Sequence, residues 1–307
     1  MSSSDENKIE ESIKSCYSTW GDRYYDEYYK SDSAYPPVHT DLIRKVLAES
    51  GARSLLDAGC GPASMLRDLD GLGLNRFGFD LTPEMLDEAK KVMAKQGVSE
   101  DHLWLGSVTD ASSFKCPNEG VPETFDAAIC FGVFPHIPKE SDATAIANIV
   151  DATAPGGLVA IEARNQLFSL FTLNRYSREF FQDILIDEKN LKNFAGGSTE
   201  NLDQALATLD EQFRMDLPPI RKGHEDEPGY DEVLSRTHNP FELQKLARQQ
   251  GLIDVQILFY HFHALPPMLE PLVPELFKKA SIAMEDPTDW RGHFMASAFV
   301  VVGRKPS

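Results

Sequence analysis

Basic residues are scarce in this chain. Its 30 lysines and arginines stand against 48 aspartates and glutamates, so the formal net charge at pH 7 is −18 over 307 residues. A protein that binds nucleic acid or an anionic membrane needs basic side chains to neutralise phosphates, so this balance argues against both partners. The sequence also lacks any run of about 18 uncharged apolar residues, as a membrane span would need, and lacks a secretory leader pattern. We therefore expect a cytoplasmic protein.

Cysteine is rare as well. The four cysteines are Cys16, Cys60, Cys116 and Cys130, and no two of them form a CxxC pair. Their wide spacing predicts reduced thiols and neither a disulfide framework nor a zinc site. His261 and His263 form the one close histidine pair, with no third ligand nearby. We expect them to be strand residues with satisfied partners, and we expect no metal.

The regular part of the pattern begins at residue 53, where short apolar runs alternate with longer amphipathic ones up to residue 165. Strands that alternate with helices predict a parallel sheet covered on both faces, here with five strands. Before it, amphipathic stretches at 8–30 and 39–50 predict helices, the second ending at Gly51. After residue 238 the sequence predicts a further helix and two more strands.

Residues 166–237 interrupt this alternation. The segment is too long for a loop and its apolar residues recur with helical spacing, so we expect a helical insertion over the C-terminal edge of the sheet. The predicted organisation has N-terminal helices at 1–50, a core at 51–165 and 238–305, and this insertion at 166–237.

The most informative string is LLDAGCGPA, residues 55–63, in which an apolar strand ends at Asp57 and opens into a glycine turn. Asp80 ends the next predicted strand, where an acid can hold both hydroxyls of a ribose. NAD and S-adenosylmethionine both fit such an acid. NAD binding needs a third glycine, which is missing here, and Asp57 would repel a pyrophosphate. The ammonium group of a methionine moiety would instead be attracted to Asp57.

Several strings carry a resemblance to one family. DAGCGPA and FGFDLTPEMLDEAKK resemble the first motif and its successor in the class I (Rossmann-like) S-adenosylmethionine-dependent methyltransferases. GSVTDASSF, FDAAICFGVFPHIP and APGGLVAIEA resemble the family's later motifs, and the resemblance covers residues 53–163 and 239–302. It implies an α/β fold with a doubly wound, mostly parallel seven-stranded sheet and a reversed C-terminal edge. It also implies N-terminal helices that close over the cofactor and a helical lid over the substrate.

The resemblance implies S-adenosylmethionine as cofactor, leaving as S-adenosylhomocysteine, and it assigns residues to each part of it. The implied cofactor-binding residues are Tyr25, Asp57, Gly59, Cys60, Gly61, Asp80, Leu81, Met85, Ser107, Val108, Cys130 and Phe131. Asp57 and the glycines surround the methionine part, Asp80 the ribose, and Leu81 and Met85 the adenine, although apolar residues at these two positions are also typical of core packing. Ser107 departs from the acid that the family often has beside the adenine amine, and Asp110 is a possible substitute.

Candidates for the acceptor side follow from chemistry and from position. His136, just after strand four, is the first candidate for a catalytic base, with a turn-capping histidine as the alternative. The substrate-binding candidates are Tyr28, Tyr29, Arg164, Asn165, Arg175, Arg178 and His238. Helical spacing places Tyr25, Tyr28 and Tyr29 on one side and Tyr24 on another. Arginines in a lid often hold a carboxylate or phosphate, although solvated surface charges are commoner.

The sequence thus predicts a methyltransferase that acts on an N or O atom of a small polar metabolite, of the sugar or secondary-metabolite type, as a monomer or homodimer. Two alternatives stay open. The strong negative charge would also attract a cationic peptide or a polyamine as acceptor. The fold could instead serve as a non-catalytic binding or assembly module, although the cofactor-binding residues are intact.

Overall fold

The computed structural model describes residues 3–18, 23–30, 35–195, 199–218 and 233–307. Parts of the predicted N-terminal helices and of the predicted insertion fall outside these ranges. The described residues form a sheet of seven strands: β1 (Ser54–Ala58), β2 (Asn75–Asp80), β3 (Leu103–Leu105), β4 (Phe125–Cys130), β5 (Thr153–Arg164), β6 (Ile253–Phe262) and β7 (Ala296–Arg304).

Helices cover both faces and the carboxyl edge of this sheet. The α-helices within the described ranges are α1 (Ser3–Tyr17), α2 (Arg23–Tyr28), α3 (Val38–Ser50), α4 (Ser64–Asp68), α5 (Pro83–Ala94), α6 (Asp142–Ala152), α7 (Ser169–Thr172), α8 (Arg175–Glu179), α9 (Glu188–Ala195), α10 (Glu200–Asp210), α11 (Pro240–Gln249), α12 (Pro274–Ala283) and α13 (Gly292–Met295). Short 3₁₀ turns lie at Glu100–His102, Ala111–Phe114, Phe134–His136, Lys139–Ser141, Gln166–Phe168 and Pro267–Leu272, and a π-helical turn lies at Phe180–Leu185.

The sheet order is β3-β2-β1-β4-β5-β7-β6. Strands β1 to β5 pair in parallel, whereas β7 is antiparallel to both β5 and β6. This confirms the predicted doubly wound sheet with its reversed C-terminal edge. The strand order reverses between β1 and β4, and ligands of open α/β sheets bind in the crevice at the carboxyl ends of such strands.

Alternation along the strands divides the core between the two faces of the sheet. Leu55 packs into one apolar cluster and Leu56 into the other, because successive side chains of a strand point to opposite faces. Ala127 and Ala128 are divided in the same way on β4. Burying a leucine or phenylalanine side chain contributes about 1.5–3 kcal/mol, so both faces hold the carboxyl ends of β1 and β4 rigidly.

Helix ends follow the sequence signals. α3 ends at Gly51, whose φ of 75° is the left-handed conformation that glycine adopts without strain, as predicted. α11 begins after Asn239, whose side chain accepts a hydrogen bond from the backbone N–H of Phe241, and Pro240 occupies its first turn. Within the described ranges, no helix combines the length and apolar character needed to cross a membrane.

Candidate functional site at the carboxyl edge of the sheet

The turn after β1 forms the floor of the site. The backbone N–H groups of Gly59 and Cys60 both donate to the carbonyl of Phe79 at 2.9 Å, which ties the turn to β2. Gly59 and Gly61 have φ angles of 87° and 51°, which side-chain-bearing residues rarely adopt. A Cβ on Gly59 would lie 2.3 Å from Cγ2 of Val133, whereas one on Gly61 would point into open space. The absence of side chains here lets a ligand reach the backbone.

Asp80, at the end of β2, is hydrogen-bonded to the rim of this turn. Its Oδ2 accepts a hydrogen bond from the backbone N–H of Gly61 at 2.8 Å, and its Oδ1 accepts one from the backbone N–H of Thr82 at 2.8 Å. Burial raises the pKa of Asp80 above its ordinary value, and these backbone donors oppose that rise. Each oxygen keeps a second lone pair, so the carboxylate can accept from ligand hydroxyls as well.

Asp57, at the end of β1, is only 2% exposed, and its Oδ1 has no hydrogen-bond partner among the described residues. Burial and the nearby carboxylate of Asp80 raise its pKa to about 8. A buried carboxyl group without a partner is costly to a fold. A cation or a hydrogen-bond donor beneath the glycine turn would therefore stabilise the carboxyl group of Asp57.

An open cavity of about 910 Å³ lies above this floor, between the sheet edge and α1. Nine of the predicted residues line it: Gly59, Gly61, Asp80, Leu81, Met85, Ser107, Val108, Phe131 and His136. Asp57, Cys60 and Cys130 are buried and do not line it. Tyr25 does not reach it either, because its hydroxyl donates to Asp68 and its ring stacks on Tyr29.

The resemblance implied that N-terminal helices close over the cofactor, but the residues that form the roof of the cavity were not predicted. Ile9, Glu10, Ile13 and Tyr17 of α1 line it. The hydroxyl of Ser107 donates to Oε1 of Glu10 at 3.0 Å, so a carboxylate does lie beside Ser107, but α1 supplies it. The spacing of Ile9, Ile13 and Tyr17 at four-residue intervals was the available signal, since it marks one helix face.

Asp110, the suggested substitute for an acid at Ser107, is exposed and accepts hydrogen bonds from Ser112. It does not line the cavity. These hydrogen bonds lower the pKa of its carboxyl group. Asp110 is thus the N-terminal cap of the 3₁₀ turn that follows it.

His136 lies in the cavity wall, 4% exposed. Its Nδ1 is 2.8 Å from the carbonyl oxygen of Leu234, and because a carbonyl only accepts, Nδ1 carries the proton. Nε2 is 2.9 Å from the hydroxyl of Tyr17 and therefore accepts from it. Burial and the guanidinium of Arg164 lower the pKa of His136 to about 4, so the ring is neutral at pH 7 with a basic nitrogen toward α1.

A second, larger and open chamber lies on the insertion side. Of the predicted substrate-binding residues, Tyr28, Arg164, Asn165 and Arg175 line it. Asn165 is itself held by the fold, because its amide NH₂ group donates to the backbone carbonyls of His293 and Ala296.

The other three candidates lie elsewhere. Tyr29 is buried against Tyr25 and His39. Arg178 forms a salt bridge with Asp210 at 2.6 Å. His238 is buried with Nε2 3.5 Å from a carboxylate oxygen of Asp142. None of the three lines either cavity.

The tyrosine pattern differs from the helical expectation. Tyr24 lines the first cavity, and its ring lies 5.0 Å from that of Tyr28, which lines the chamber. The grouping of Tyr28 with Tyr25 and Tyr29 was wrong, because α2 ends at Tyr28 and the i,i+4 pair within it is Tyr24 and Tyr28.

His261 and His263 also depart from their predicted role. Both line the chamber, and Nδ1 of His263 is buried without a partner among the described residues. Burial lowers the pKa of His261 to about 4 and that of His263 to about 3, so both are neutral at pH 7. The described side chains contain no cluster of three or more potential metal ligands.

Part of the chain is similar to known proteins. Residues 55–157 match the family described as "Methyltransferase domain". The "Ubiquinone biosynthesis O-methyltransferase" of Xylella fastidiosa (strain M23) is 30% identical over 156 residues, which are 50% of this chain and 58% of that relative. Its counterpart in Dechloromonas aromatica (strain RCB) is 30% identical over 131 residues, 42% of this chain and 52% of that relative. The chain thus spans between half and three-fifths of the relatives it matches.

Among solved structures, a SAM-dependent methyltransferase from Archaeoglobus fulgidus aligns with a TM-score of 0.45 at 12% identity. The alignment covers 87% of this chain and 94% of that one. The matched family region contains β1 to β4 and the glycine turn.

Proposed function

We propose that this chain is a class I, Rossmann-like S-adenosylmethionine-dependent methyltransferase, and that it transfers the methyl group of this cofactor to an oxygen atom of a small polar metabolite, of the sugar or secondary-metabolite type. One observation carries the proposal. The unprotonated Nε2 of His136 lies in the wall of the cavity whose floor is the turn from Gly59 to Gly61 and whose rim is Asp80.

The residues of the cavity fit S-adenosylmethionine. The unpartnered Oδ1 of Asp57 matches the demand of a methionine ammonium group, and the open space beside Gly61 admits a ligand to the backbone. Asp80 is the acceptor for the ribose hydroxyls. Glu10 and Ser107, joined by a hydrogen bond, are the polar groups for the adenine amine, and Met85 is its apolar contact.

When bound, the cofactor supplies an electrophilic methyl group on a sulfonium, so the protein needs to align the acceptor and remove its proton. His136 would take the acceptor's hydroxyl proton at Nε2 when the acceptor oxygen receives the methyl group, and the cofactor would leave as S-adenosylhomocysteine. The carbonyl of Leu234, which accepts from Nδ1–H, stabilises the resulting imidazolium. Tyr17 donates to Nε2 in this structure and so marks the position that the acceptor hydroxyl takes.

An oxygen acceptor accounts for the base better than an amine does. A neutral amine attacks a sulfonium without prior deprotonation, whereas a hydroxyl needs a base. The names of the matched relatives, which are O-methyltransferases, agree with this choice. Because the chain spans little more than half of those relatives, their quinone-related substrates are not carried over to this protein.

We further propose that the N-terminal helices (1–50) and the segment 166–237 enclose the acceptor above the core (51–165 and 238–305). The positions of Tyr17 on α1 and Arg175 on α8, one in each cavity, support this. The free cysteines and the strong negative charge support a protein of the reducing cytoplasm without nucleic-acid or membrane partners.

The test is transfer of label from methyl-labelled S-adenosylmethionine. The full chain is incubated with an extract of the cells that express it, and the products are separated into small-molecule, protein and nucleic-acid fractions. We expect label in the small-molecule fraction, and we expect Asp80→Ala to abolish it. Label in protein or nucleic acid would refute the small-molecule acceptor, and cofactor binding without any transfer would favour a non-catalytic module.

A further inference from the structure

The chamber lies next to the reacting end of the first cavity. Tyr24 lines the cavity and Tyr28 lines the chamber, with their rings 5.0 Å apart. Arg164 lines the chamber and is close enough to His136 to lower the pKa of its ring together with burial. A molecule in the chamber can therefore extend a hydroxyl toward Nε2 of His136.

Two guanidinium groups face this chamber and form no salt bridge with a carboxylate of the described residues. Arg164 donates to the hydroxyl of Ser235, and Arg175 lies over the ring of its neighbour Tyr176, at 5.4 Å. In the part of the chain that the structure describes, neither forms a salt bridge with an aspartate or glutamate. Six other arginines in that part do: Arg67, Arg76, Arg178, Arg214, Arg236 and Arg291.

The contrast within α8 is direct. Arg175 and Arg178 lie three residues apart, yet Arg178 is held by both carboxylate oxygens of Asp210, through Nε at 2.6 Å and Nη2 at 3.1 Å. The guanidinium of Arg178 is thus saturated by the protein. Arg175 keeps its planar set of donors available, and this set matches the oxygens of a carboxylate or a phosphate.

Burial raises the pKa of Glu162 on β5 and the nearby charge of Arg164 opposes that rise, but the oxygens of Glu162 accept from the backbone N–H of Gly132 and the hydroxyl of Tyr260. Among the described residues, no carboxylate forms a salt bridge with either arginine of the chamber.

Glu179 and Asp183 line the chamber, but both are exposed and both act on Arg178, whose pKa they raise together with Asp210. Neither lies within salt-bridge distance of Arg175. The two chamber histidines are neutral at pH 7, as described above.

Aromatic side chains form part of the remaining walls. Phe168, Tyr176 and Phe180 line the chamber on the insertion side, and Tyr28 lines it on the side of α2. Aromatic walls of this kind stack on aromatic ligands in offset or edge-to-face arrangements. The chamber therefore combines a surface for an aromatic ring with two donors for an anion.

We propose that the acceptor is a hydroxylated aromatic compound carrying an oxyanion, a carboxylate or a phosphate, that Arg164 and Arg175 hold in this chamber. The inference rests on the proposed methyl-transfer function and names its substrate class. Arg164 binds the anion on the side facing His136, and Arg175 binds it on the side away from His136. In a chain with net charge −18, two unpaired guanidinium groups select an anionic ligand that the rest of the surface repels.

The experiment extends the labelling assay. The labelled small-molecule product is passed over an anion-exchange resin at neutral pH, before and after alkaline phosphatase treatment. We expect the product to be retained on the resin. Retention that phosphatase abolishes identifies a phosphate, and retention that survives identifies a carboxylate. A labelled product that is not retained would overturn the anionic acceptor while leaving methyl transfer intact, whereas no labelled product at all would refute methyl transfer itself.

Two variants test whether Arg175 binds the acceptor. Arg175→Gln should raise the amount of extract needed for half-maximal labelling by about 10–100-fold, the range expected for losing a charge-assisted hydrogen bond. Its affinity for S-adenosylmethionine should not change, which separates loss of acceptor binding from loss of folding. Arg178→Gln, the matched control, should leave the labelling unchanged. Equal effects of the two variants would overturn the proposed role of Arg175.

Discussion

Tyr17 on α1 donates its hydroxyl proton to Nε2 of His136, 119 residues further along the chain, over 2.9 Å. The pair joins a helix outside the sheet to the turn after β4, and it closes one side of the cavity. Because Leu234 fixes the tautomer of the ring through Nδ1, the basic nitrogen can only face α1. We propose that His136 is the base and that Tyr17 occupies its Nε2 between turnovers.

Replacing His136 tests this assignment. We expect His136→Gln to lower kcat by about 100–10,000-fold, the contribution typical of a positioned general base, with little change in the Kd of S-adenosylmethionine. Tyr17→Phe removes only the hydroxyl that competes for Nε2, so kcat should stay within about tenfold of the wild type. Steady-state kinetics and calorimetric titration measure both. If Tyr17→Phe lost as much kcat as His136→Gln, the tyrosine would be the base.

The acidic limb of the pH–rate profile should lie well below pH 6.5. Burial and then Arg164 lower the pKa of His136 to about 4, so the ring remains unprotonated and able to accept a proton until the pH falls toward that value. Arg164→Gln removes the positive charge and should move the limb to higher pH, whereas Arg178→Gln should not move it. A wild-type limb centred at pH 6.5 or above would contradict this environment for His136.

In the protein without cofactor, ionisation of Asp57 should lower the free energy of unfolding as the pH rises. Its pKa is about 8 in the folded chain and 3.8 when unperturbed, so between these values the folded state binds one more proton than the unfolded state. The free energy of unfolding then falls with increasing pH across that range. We expect Asp57→Asn to melt at a higher temperature than the wild type at pH 8, with a smaller gap at pH 5, at about 2–4 °C for each kcal/mol.

A control variant and a cofactor-binding measurement accompany the prediction for Asp57. Asp87→Asn, at an exposed position of α5, should leave the pH dependence of melting unchanged. Asp57→Asn should bind S-adenosylmethionine more weakly. Binding to the wild type at pH 7 should release protons, as titrations in buffers of different ionisation enthalpy would detect. An Asp57→Asn variant that melts below the wild type at every pH would show that the carboxyl group stabilises the fold.

Glu10 is expected to contribute to cofactor affinity from outside the sheet. It accepts the hydrogen bond of Ser107 in the cavity, so Glu10→Gln should weaken S-adenosylmethionine binding by about tenfold, the loss of one charge-assisted hydrogen bond. Glu11 is exposed on the same helix, and Glu11→Gln is the matched control that should bind normally. Equal Kd values for the two variants in calorimetric titration would remove Glu10 from the site.

The sequence predicted the parts of the site that neighbouring residues determine. The strand ending at Asp57, the turn from Gly59 to Gly61 and the acid at Asp80 are encoded within short strings, because turn geometry and strand ends follow local signals. The alternating pattern predicted seven strands, and the family resemblance that those strings carry predicted the doubly wound order and the reversed edge.

The rest depended on contacts between distant segments. Arg175 and Arg178 are equivalent in sequence, and only the approach of Asp210 from α10 distinguishes the paired arginine from the available one. Glu10 lies in the site because α1 packs over Ser107. The sequences around Glu10 and around Ser107 do not predict this contact. The separation of Tyr24 from Tyr28 was wrong, because residues four apart on a helix share a face and their rings lie 5.0 Å apart.

The most direct test of the account follows the methyl group itself. The full chain is supplied with S-adenosylmethionine carrying a ¹³C-methyl group and with the small-molecule fraction of the extract, and the products are examined by NMR. The account predicts one new methyl resonance with the chemical shift of an O–CH₃ group, absent with His136→Gln and Asp80→Ala. A resonance with the shift of an N–CH₃ group, or one that His136→Gln leaves at full rate, would contradict it.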